Sequence, residues 1–434
     1  MKNFYKNTNI VDDIKLFENS INVLQKKIKI KKDFNLKNLV NFNNYKNLPF
    51  QNWCNYQEGF SPEIYQWFVE YNNILEKNAL FLDPFCGSGS SLIQAKKNGV
   101  RSIGIDINPF SCLISEVKLD SYQETDFEFI KTFTVPQFKN IDDPFSKYEF
   151  SMVNKIFSKE NLIKLELLKD KIKSVKSKKS RKFLFTVLLC CLEECSNYKK
   201  AGNGIKRRKK DNDQDFNRNF LLKKDRMLED VISIKSNVKS VIFNQNVKNI
   251  ENLLKNDSIS YSLFSPPYPN CFDYFEVYKI ELWFGEFIKS YQELKILRKK
   301  ALTSNLNANL NQLVKTDTIS NHLNITIKLL QKEELWNKNI PKMICLYFQE
   351  MKEFLDLLFR KLKKGGMIGI VIGNSSYAGI PILSDLILCE IASSLGFKIN
   401  EVIVTRNNET SSQQYKKLGA MVQYVRESVL LIQK

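Results

Sequence analysis

Two short runs of this chain hold residues whose types and spacing suit chemistry. The first is Asp83-Pro84-Phe85-Cys86-Gly87-Ser88-Gly89, followed by Ser90 and Ser91. Gly87 and Gly89 permit a tight turn and let backbone N–H groups approach a ligand closely, and Ser90 or Ser91 could cap a helix starting there. Asp106 stands 19 residues after Gly87, near the spacing of about 20 at which an acid accepts ribose hydroxyls in nucleotide-binding folds. No third glycine stands at the offset of the GxGxxG fingerprint, so a pyrophosphate cradle is not expected. The second run is Ser265-Pro266-Pro267-Tyr268. Consecutive prolines remove two backbone donors and stiffen the turn, which leaves the Pro266 carbonyl free to accept a hydrogen bond beside the Ser265 hydroxyl.

Both runs need an open α/β sheet to present them. ALFLDPF reads as a buried strand, SSLIQAKKNG as a helix and VRSIGIDI as a second strand, so the glycine loop falls where the first strand meets its helix. SPPY directly follows the apolar strand YSLF. The closing segment restores the pattern with the helix MKEFLDLLFRKLK, the strand MIGIVIGN, the helix LSDLILCEIASSLG and the strands INEVIVTR and ESVLLIQ. The spacing predicts a basic N-terminal arm over 1–50, a ligand-binding half of the core over 51–120, a helical basic insertion over 121–240 and the second half over 241–434. A further polar insertion is expected at about 286–340.

The composition narrows the chemistry. Lys and Arg number 66 against 47 Asp and Glu, a net charge of +19, which suits a polyanionic partner. Basic residues gather in Lys26–Lys32, Lys171–Lys182, Lys199–Lys210 and Leu297–Lys300, any of which could be a solvated face or could track phosphates. In KKAGNGIKRRKK, Gly202 and Gly204 are expected to break the preceding helix and display Lys206, Arg207, Arg208, Lys209 and Lys210 on a loop. The nine cysteines are scattered without a CxxC pair, and His322 is the single histidine, so neither a disulfide framework, a zinc site nor a histidine-based triad is expected, and no metal. No apolar run reaches the roughly 20 residues needed to cross a bilayer, and a cytoplasmic location without membrane attachment is expected.

DPFCGSGSS followed by GIDINP resembles motifs I and II of class I S-adenosylmethionine-dependent methyltransferases, in the form seen in enzymes that methylate amino groups. The resemblance implies an α/β, Rossmann-like sheet with helical insertions and S-adenosylmethionine as cofactor. It places the methionine part on Asp83, Pro84, Phe85, Cys86, Gly87, Ser88 and Gly89, the ribose on Asp106 and the adenine against Ile107. WCNYQEGFSPEIYQWFVEY is similar to motif X, which closes over the methionine end, with Gly59, Phe60 and Ser61 nearest. In VIFNQNVKNIENLL, Asn246 occupies the place where the family commonly has an acid facing the adenine, and its amide could still bond the adenine edge.

SPPY resembles motif IV of the same enzymes, the catalytic loop. The exocyclic amino nitrogen of cytosine or adenine is conjugated into its ring and is a poor nucleophile, so it must be polarised in place. The Pro266 carbonyl and Ser265 would accept its hydrogens, Pro267 would stiffen the turn, and Tyr268 would offer a flat surface to a base rotated out of the duplex. Cys271 is not preceded by proline as ring-carbon methylation would require. Ser265 is typical of cytosine-N4 enzymes, whereas Asp or Asn at that place is typical of adenine-N6 enzymes. The polar stretch TRNNETSSQQY would face the base or DNA, with Arg406 as a contact.

The resemblance therefore implies a site-specific DNA methyltransferase acting on double-stranded DNA, with cytosine N4 as the favoured atom, in a restriction–modification system with a cognate restriction endonuclease. Three alternatives stand beside it: adenine-N6 methylation of DNA, guanine-N2 methylation of RNA, and an inactive DNA-binding protein with the same fold.

Overall fold

Every residue of Ile259–Phe264 is buried, as expected of a strand covered on both faces, and this strand lies inside an eight-stranded sheet. The computed structural model describes residues 8–41, 47–57, 59–76, 78–150, 152–210, 214–314, 319–408 and 417–434. The strands are β1 (Ile30–Lys32), β2 (Leu80–Asp83), β3 (Arg101–Asp106), β4 (Ser240–Asn244), β5 (Ile259–Phe264), β6 (Leu362–Gly373), β7 (Lys398–Asn407) and β8 (Arg426–Gln433). Their order is β1-β7-β8-β6-β5-β2-β3-β4. Only β8 runs against its neighbours, pairing antiparallel with both β6 and β7.

From β2 the chain moves outward through β3 and β4, then returns to lay β5 and β6 on the other side. The order thus reverses between β2 and β5, the switch point outside whose carboxyl ends open α/β sheets bind ligands. Asp83, Asp106 and Phe264 end their strands on that edge. The helix Pro109–Leu119 restarts the chain directly after β3 because Asn108 caps it, accepting from the Phe110 N–H at 3.0 Å, with Pro109 opening the first turn.

Helices cover both faces. Glu124–Thr132, Lys159–Lys173, Lys178–Cys191 and Phe216–Ile232 share one apolar core with Tyr261, Val371 and Val429 of the sheet. Cys190, Cys191 and Cys195 are buried thiols in that core. The opposite face carries Asn321–Gln331, Ile340–Lys361 and Ser384–Ser394. On this side lies the main departure from the basic N-terminal arm expected over 1–50. Thr8–Lys27 is a helix packed on Asn321–Gln331, and β1 then adds an edge strand parallel to β7, with Ile30 opposite Val402. Phe17, Ile21, Leu24 and Ile28 recur at helical spacing and are buried, so the surrounding lysines form the outer face of an element of the core. Among the described residues, no helix is long and apolar enough to cross a membrane.

Candidate active site at the switch point

The glycine loop is braced from behind by Asp83. This carboxylate is 1% exposed; it accepts from the Phe85 N–H at 3.1 Å and from the Ser91 hydroxyl. Ser91, expected to cap the following helix, therefore serves Asp83, and Ser90 donates to Gln51 at 2.9 Å. The helix Ser90–Lys97 starts without a side-chain cap behind Gly89, which takes the left-handed φ of 80°. Burial pushes the Asp83 carboxyl up to about 7, against those two hydrogen bonds.

In front, the Gly87 N–H donates to Asp106 Oδ2 at 2.9 Å and the Asn108 N–H to Oδ1 at 2.8 Å. These donors join the ends of two adjacent strands and still leave lone pairs on the carboxylate. Burial raises Asp106 to about 6, opposed by the backbone donors. Gly87 has a φ of 49°, and a Cβ there would stand 2.8 Å from the Tyr56 hydroxyl. That hydroxyl lies 2.9 Å from Ser111 Oγ, and the Tyr56 ring stacks on Tyr278 with centroids 5.2 Å apart. Tyr56 was not singled out from the sequence, although it stands three residues before Gly59 inside the motif X-like run; an aromatic there was the available signal.

A cleft of about 1020 Å³, counting its open mouth, lies in front of this loop. Gly59, Phe60, Pro84, Phe85, Cys86, Gly87, Ser88, Asp106, Ile107, Asn246, Ser265 and Pro267 all line it. Asp83, Gly89, Ser61, Pro266 and Tyr268 stand outside that lining. Ser61 is buried, its hydroxyl accepting from the Glu63 N–H at 3.1 Å where the helix Glu63–Tyr71 begins. Asn246 faces the cleft with its amide engaged at both ends: Oδ1 accepts from the Lys248 N–H at 2.8 Å and Nδ2 donates to the Lys300 carbonyl. It braces a wall, and its second Nδ2 hydrogen and second Oδ1 lone pair remain for a ligand in the cleft. That wall includes Lys300, Ala301, Leu302, Ser304 and Asn305, from the stretch expected to be a polar insertion. The Thr303 N–H donates to Glu350 Oε2 at 2.7 Å and anchors it to the helix Ile340–Lys361.

The proline run reaches the same cleft from β5. Ser265 and Pro267 are half-buried at its wall, and among the described residues no donor reaches the Pro266 carbonyl. Tyr268 turns toward β8: its hydroxyl donates to Glu427 Oε1 at 2.7 Å, and its ring lies against Gly373, where a Cβ would approach Tyr268 Cε2 to 2.7 Å. Arg406, expected to contact DNA, is half-buried and paired through Nε with Glu427 Oε2 at 2.5 Å. Most of the polar stretch after it, 409–416, lies outside the described residues.

KKAGNGIKRRKK forms a β-hairpin, Tyr198–Ala201 paired with Gly204–Arg207, where a loop was expected. Lys200 is buried on it, ion-paired with Glu281 at 2.5 Å and lying over the Tyr278 ring at 4.7 Å. Arg208, expected to track phosphates, instead donates to the carbonyls of Ser196 and Glu193, each at 3.1 Å. Lys206, Arg207, Lys209 and Lys210 are exposed. The hairpin abuts Tyr274–Val277, the short helix after the proline run, since a Cβ on Gly204 would lie 3.4 Å from Glu276 Cγ. Its exposed cations are thus carried on an element bordering the cleft.

Comparison with known proteins agrees with this geometry. The DNA methylase family matches residues 6–117, and the D12 class N6 adenine-specific DNA methyltransferase family matches residues 62–268. The Type II methyltransferase M.BsoBI of Geobacillus stearothermophilus is 26% identical, the alignment covering 92% of this chain and 88% of the relative. The Type II methyltransferase M.AvaI of Nostoc sp. (strain PCC 7120) is 28% identical over 87% of this chain and 85% of the relative. A tRNA (guanine(10)-N2)-dimethyltransferase of Methanothermobacter thermautotrophicus is 35% identical over only 18% of this chain and 23% of its own length. These matches support a place for the chain among the S-adenosylmethionine-dependent DNA amino-methyltransferases.

The residues present fit that cofactor. The cleft is concave and lined by apolar side chains with a few polar groups among them, as small-molecule sites are. Asp106 keeps acceptor capacity for hydroxyls, and Asn108, on the wall, has a buried side-chain N–H group with no partner among the described residues. Gly87 permits close backbone approach and Ile107 gives an apolar platform.

Proposed function

We propose that the chain methylates the N4 amino group of cytosine in double-stranded DNA, as the modification half of a restriction–modification system with a cognate endonuclease. The observation that carries this reading is Ser265 at the wall of the cofactor cleft, followed directly by Pro266, whose carbonyl no donor reaches among the described residues. S-adenosylmethionine, when bound, supplies the methyl group. Asp106 would accept the ribose hydroxyls and Ile107 would support the adenine. The Gly87 turn and Phe60 would enclose the methionine end, with Tyr56 braced against that turn.

At the proline run, two acceptors side by side hold the amino hydrogens and draw the nitrogen out of conjugation toward tetrahedral geometry. Tyr268 presents its ring to the flipped base, and Pro266 and Pro267 keep the loop from relaxing. The exposed cations of the basic hairpin would track the backbone of the duplex beside the cleft. Residues 121–240 serve in this reading as the unit that approaches DNA, built on a helical core continuous with the sheet.

Cytosine is favoured by Ser265, the residue typical of cytosine-N4 enzymes in this family. Adenine N6 is the second reading, favoured by the match of the adenine-specific family through residue 268. The guanine-N2 alternative draws on a match limited to 18% of the chain, and cofactor binding by calorimetry separates the inactive alternative. Steady-state kinetics on Ser265→Ala test the assignment: turnover should fall by tenfold or more, on the order of one lost hydrogen bond in the transition state, with cofactor affinity unchanged. Unaltered turnover would contradict it.

A further inference from the structure

A serine hydroxyl can donate or accept, so Ser265 polarises an amino group only if something fixes its own proton elsewhere. Across the carboxyl edge of the sheet, Arg406 of β7, Glu427 of β8 and Gly373 of β6 are consecutive cross-strand partners. A register shift between Val404 and Arg406 re-aims the end of β7. Glu427 is 3% exposed, with Oε2 held by Arg406 at 2.5 Å and Oε1 by the Tyr268 hydroxyl at 2.7 Å. Gly373, without a Cβ, leaves the space in which the Tyr268 ring lies to make that reach. Ser265 Oγ stands 3.4 Å from the same Tyr268 oxygen.

We propose that Glu427 is a positioning residue that sets the direction of hydrogen bonding at Ser265, acting through Tyr268. A carboxylate paired with arginine can only accept, so the phenol must donate to it. The phenol oxygen then turns its lone pairs to Ser265, which gives its own proton to Tyr268 and keeps its lone pairs for the amino hydrogens of the base. Glu427, Tyr268 and Ser265 thus form a chain with one polarity, ending in an acceptor where the chemistry needs one. The same chain holds the plane of the Tyr268 ring. This inference rests on the proposal that Ser265 contacts the target amino group.

Tyr268→Phe keeps the ring and removes the relay. Glu427→Gln keeps the size and loses the obligate acceptor. Each is expected to lower kcat about tenfold or more, the scale of one misdirected hydrogen bond, while KM for DNA and for S-adenosylmethionine changes less than about threefold. The double variant is expected to be no slower than the slower single variant, because both act through one hydroxyl. Fluorescence of 2-aminopurine at the target position should report a flipped base in all three, which a collapsed loop would not give. Wild-type kcat in either single variant, losses that multiply in the double variant, or loss of base flipping would overturn the proposal. Ser265→Ala, assayed alongside, separates the two levels: if it is slow while Tyr268→Phe and Glu427→Gln are not, Ser265 keeps its assignment and the relay falls. If Ser265→Ala turns over at the wild-type rate, the assignment fails and the relay with it.

Discussion

Gly87 and Tyr56 meet across the cofactor loop so closely that a Cβ on the glycine would stand 2.8 Å from the tyrosine hydroxyl oxygen. The φ of 49° at Gly87 adds backbone strain for any other residue. Gly87→Ala is therefore expected to lose about 1–2 kcal/mol of stability and to weaken S-adenosylmethionine binding about tenfold by displacing Tyr56. Thermal unfolding and calorimetry check the two effects, and an alanine variant with wild-type cofactor affinity would show that the contact does not shape the cleft.

Asp106 is expected to make cofactor binding depend on pH. Its carboxyl is raised to about 6 in the free protein, and only the ionised form offers a full set of acceptors to the ribose. Affinity should rise as pH increases through about 6 and then level off. Asp106→Ala should bind about 1–3 kcal/mol more weakly above that pH and show a flatter profile. Calorimetric titrations from about pH 4 to about pH 8, two units either side of the raised value, would reveal either behaviour.

Asp83 affects stability with the opposite sign to most carboxylates. Burial raises it from 3.8 to about 7, so folding favours its protonated form. That contribution is complete below the ordinary value and is lost as pH rises through about 7. The melting temperature of the wild type relative to Asp83→Asn should accordingly fall as pH increases from about 5 to about 8. A difference that stays constant or grows would place the charge in a better-solvated position than the structure gives it.

The cations of the basic hairpin are expected to fall into two groups. Lys206→Ala, Lys209→Ala and Lys210→Ala combined should weaken DNA binding and reduce the slope of log K against log salt by about 2 to 3, near 0.9 per phosphate contact. Arg208→Ala should instead lower stability, because its guanidinium ties the hairpin to the carbonyls of Ser196 and Glu193. Fluorescence anisotropy across a salt series, with melting curves alongside, distinguishes the two. A triple variant with an unchanged salt slope would remove the hairpin from the DNA interface.

The sheet was largely legible because its strands and helices state their period locally. The loop from Asp83 to Gly89 and the acid at Asp106 were legible because the spacing from glycine to carboxylate is a backbone distance. What escaped is carried by contacts between distant residues. Asn246 looks like a wholly free amide until Lys300, 54 residues later, takes one of its two side-chain N–H groups. Arg406 looks like a free cation until Glu427 is brought across from the neighbouring strand. β1 hides in a lysine-rich run because an edge strand of three residues needs only Ile30 turned inward. The cleft wall at Lys300–Asn305 reads as polar insertion because Glu350, which anchors it, comes 47 residues after Thr303.

The most direct measurement concerns the methylated atom itself. Unmodified double-stranded DNA is incubated with the purified protein and S-adenosylmethionine, digested to nucleosides and resolved by mass spectrometry, with long-read sequencing giving the context of each mark. N4-methylcytosine at a defined sequence is the expected product, formed about tenfold or more slowly in the Ser265→Ala reaction. N6-methyladenine would contradict the cytosine assignment while keeping the amino acceptor, and 5-methylcytosine or an unmodified product would contradict the catalytic role given to the proline run.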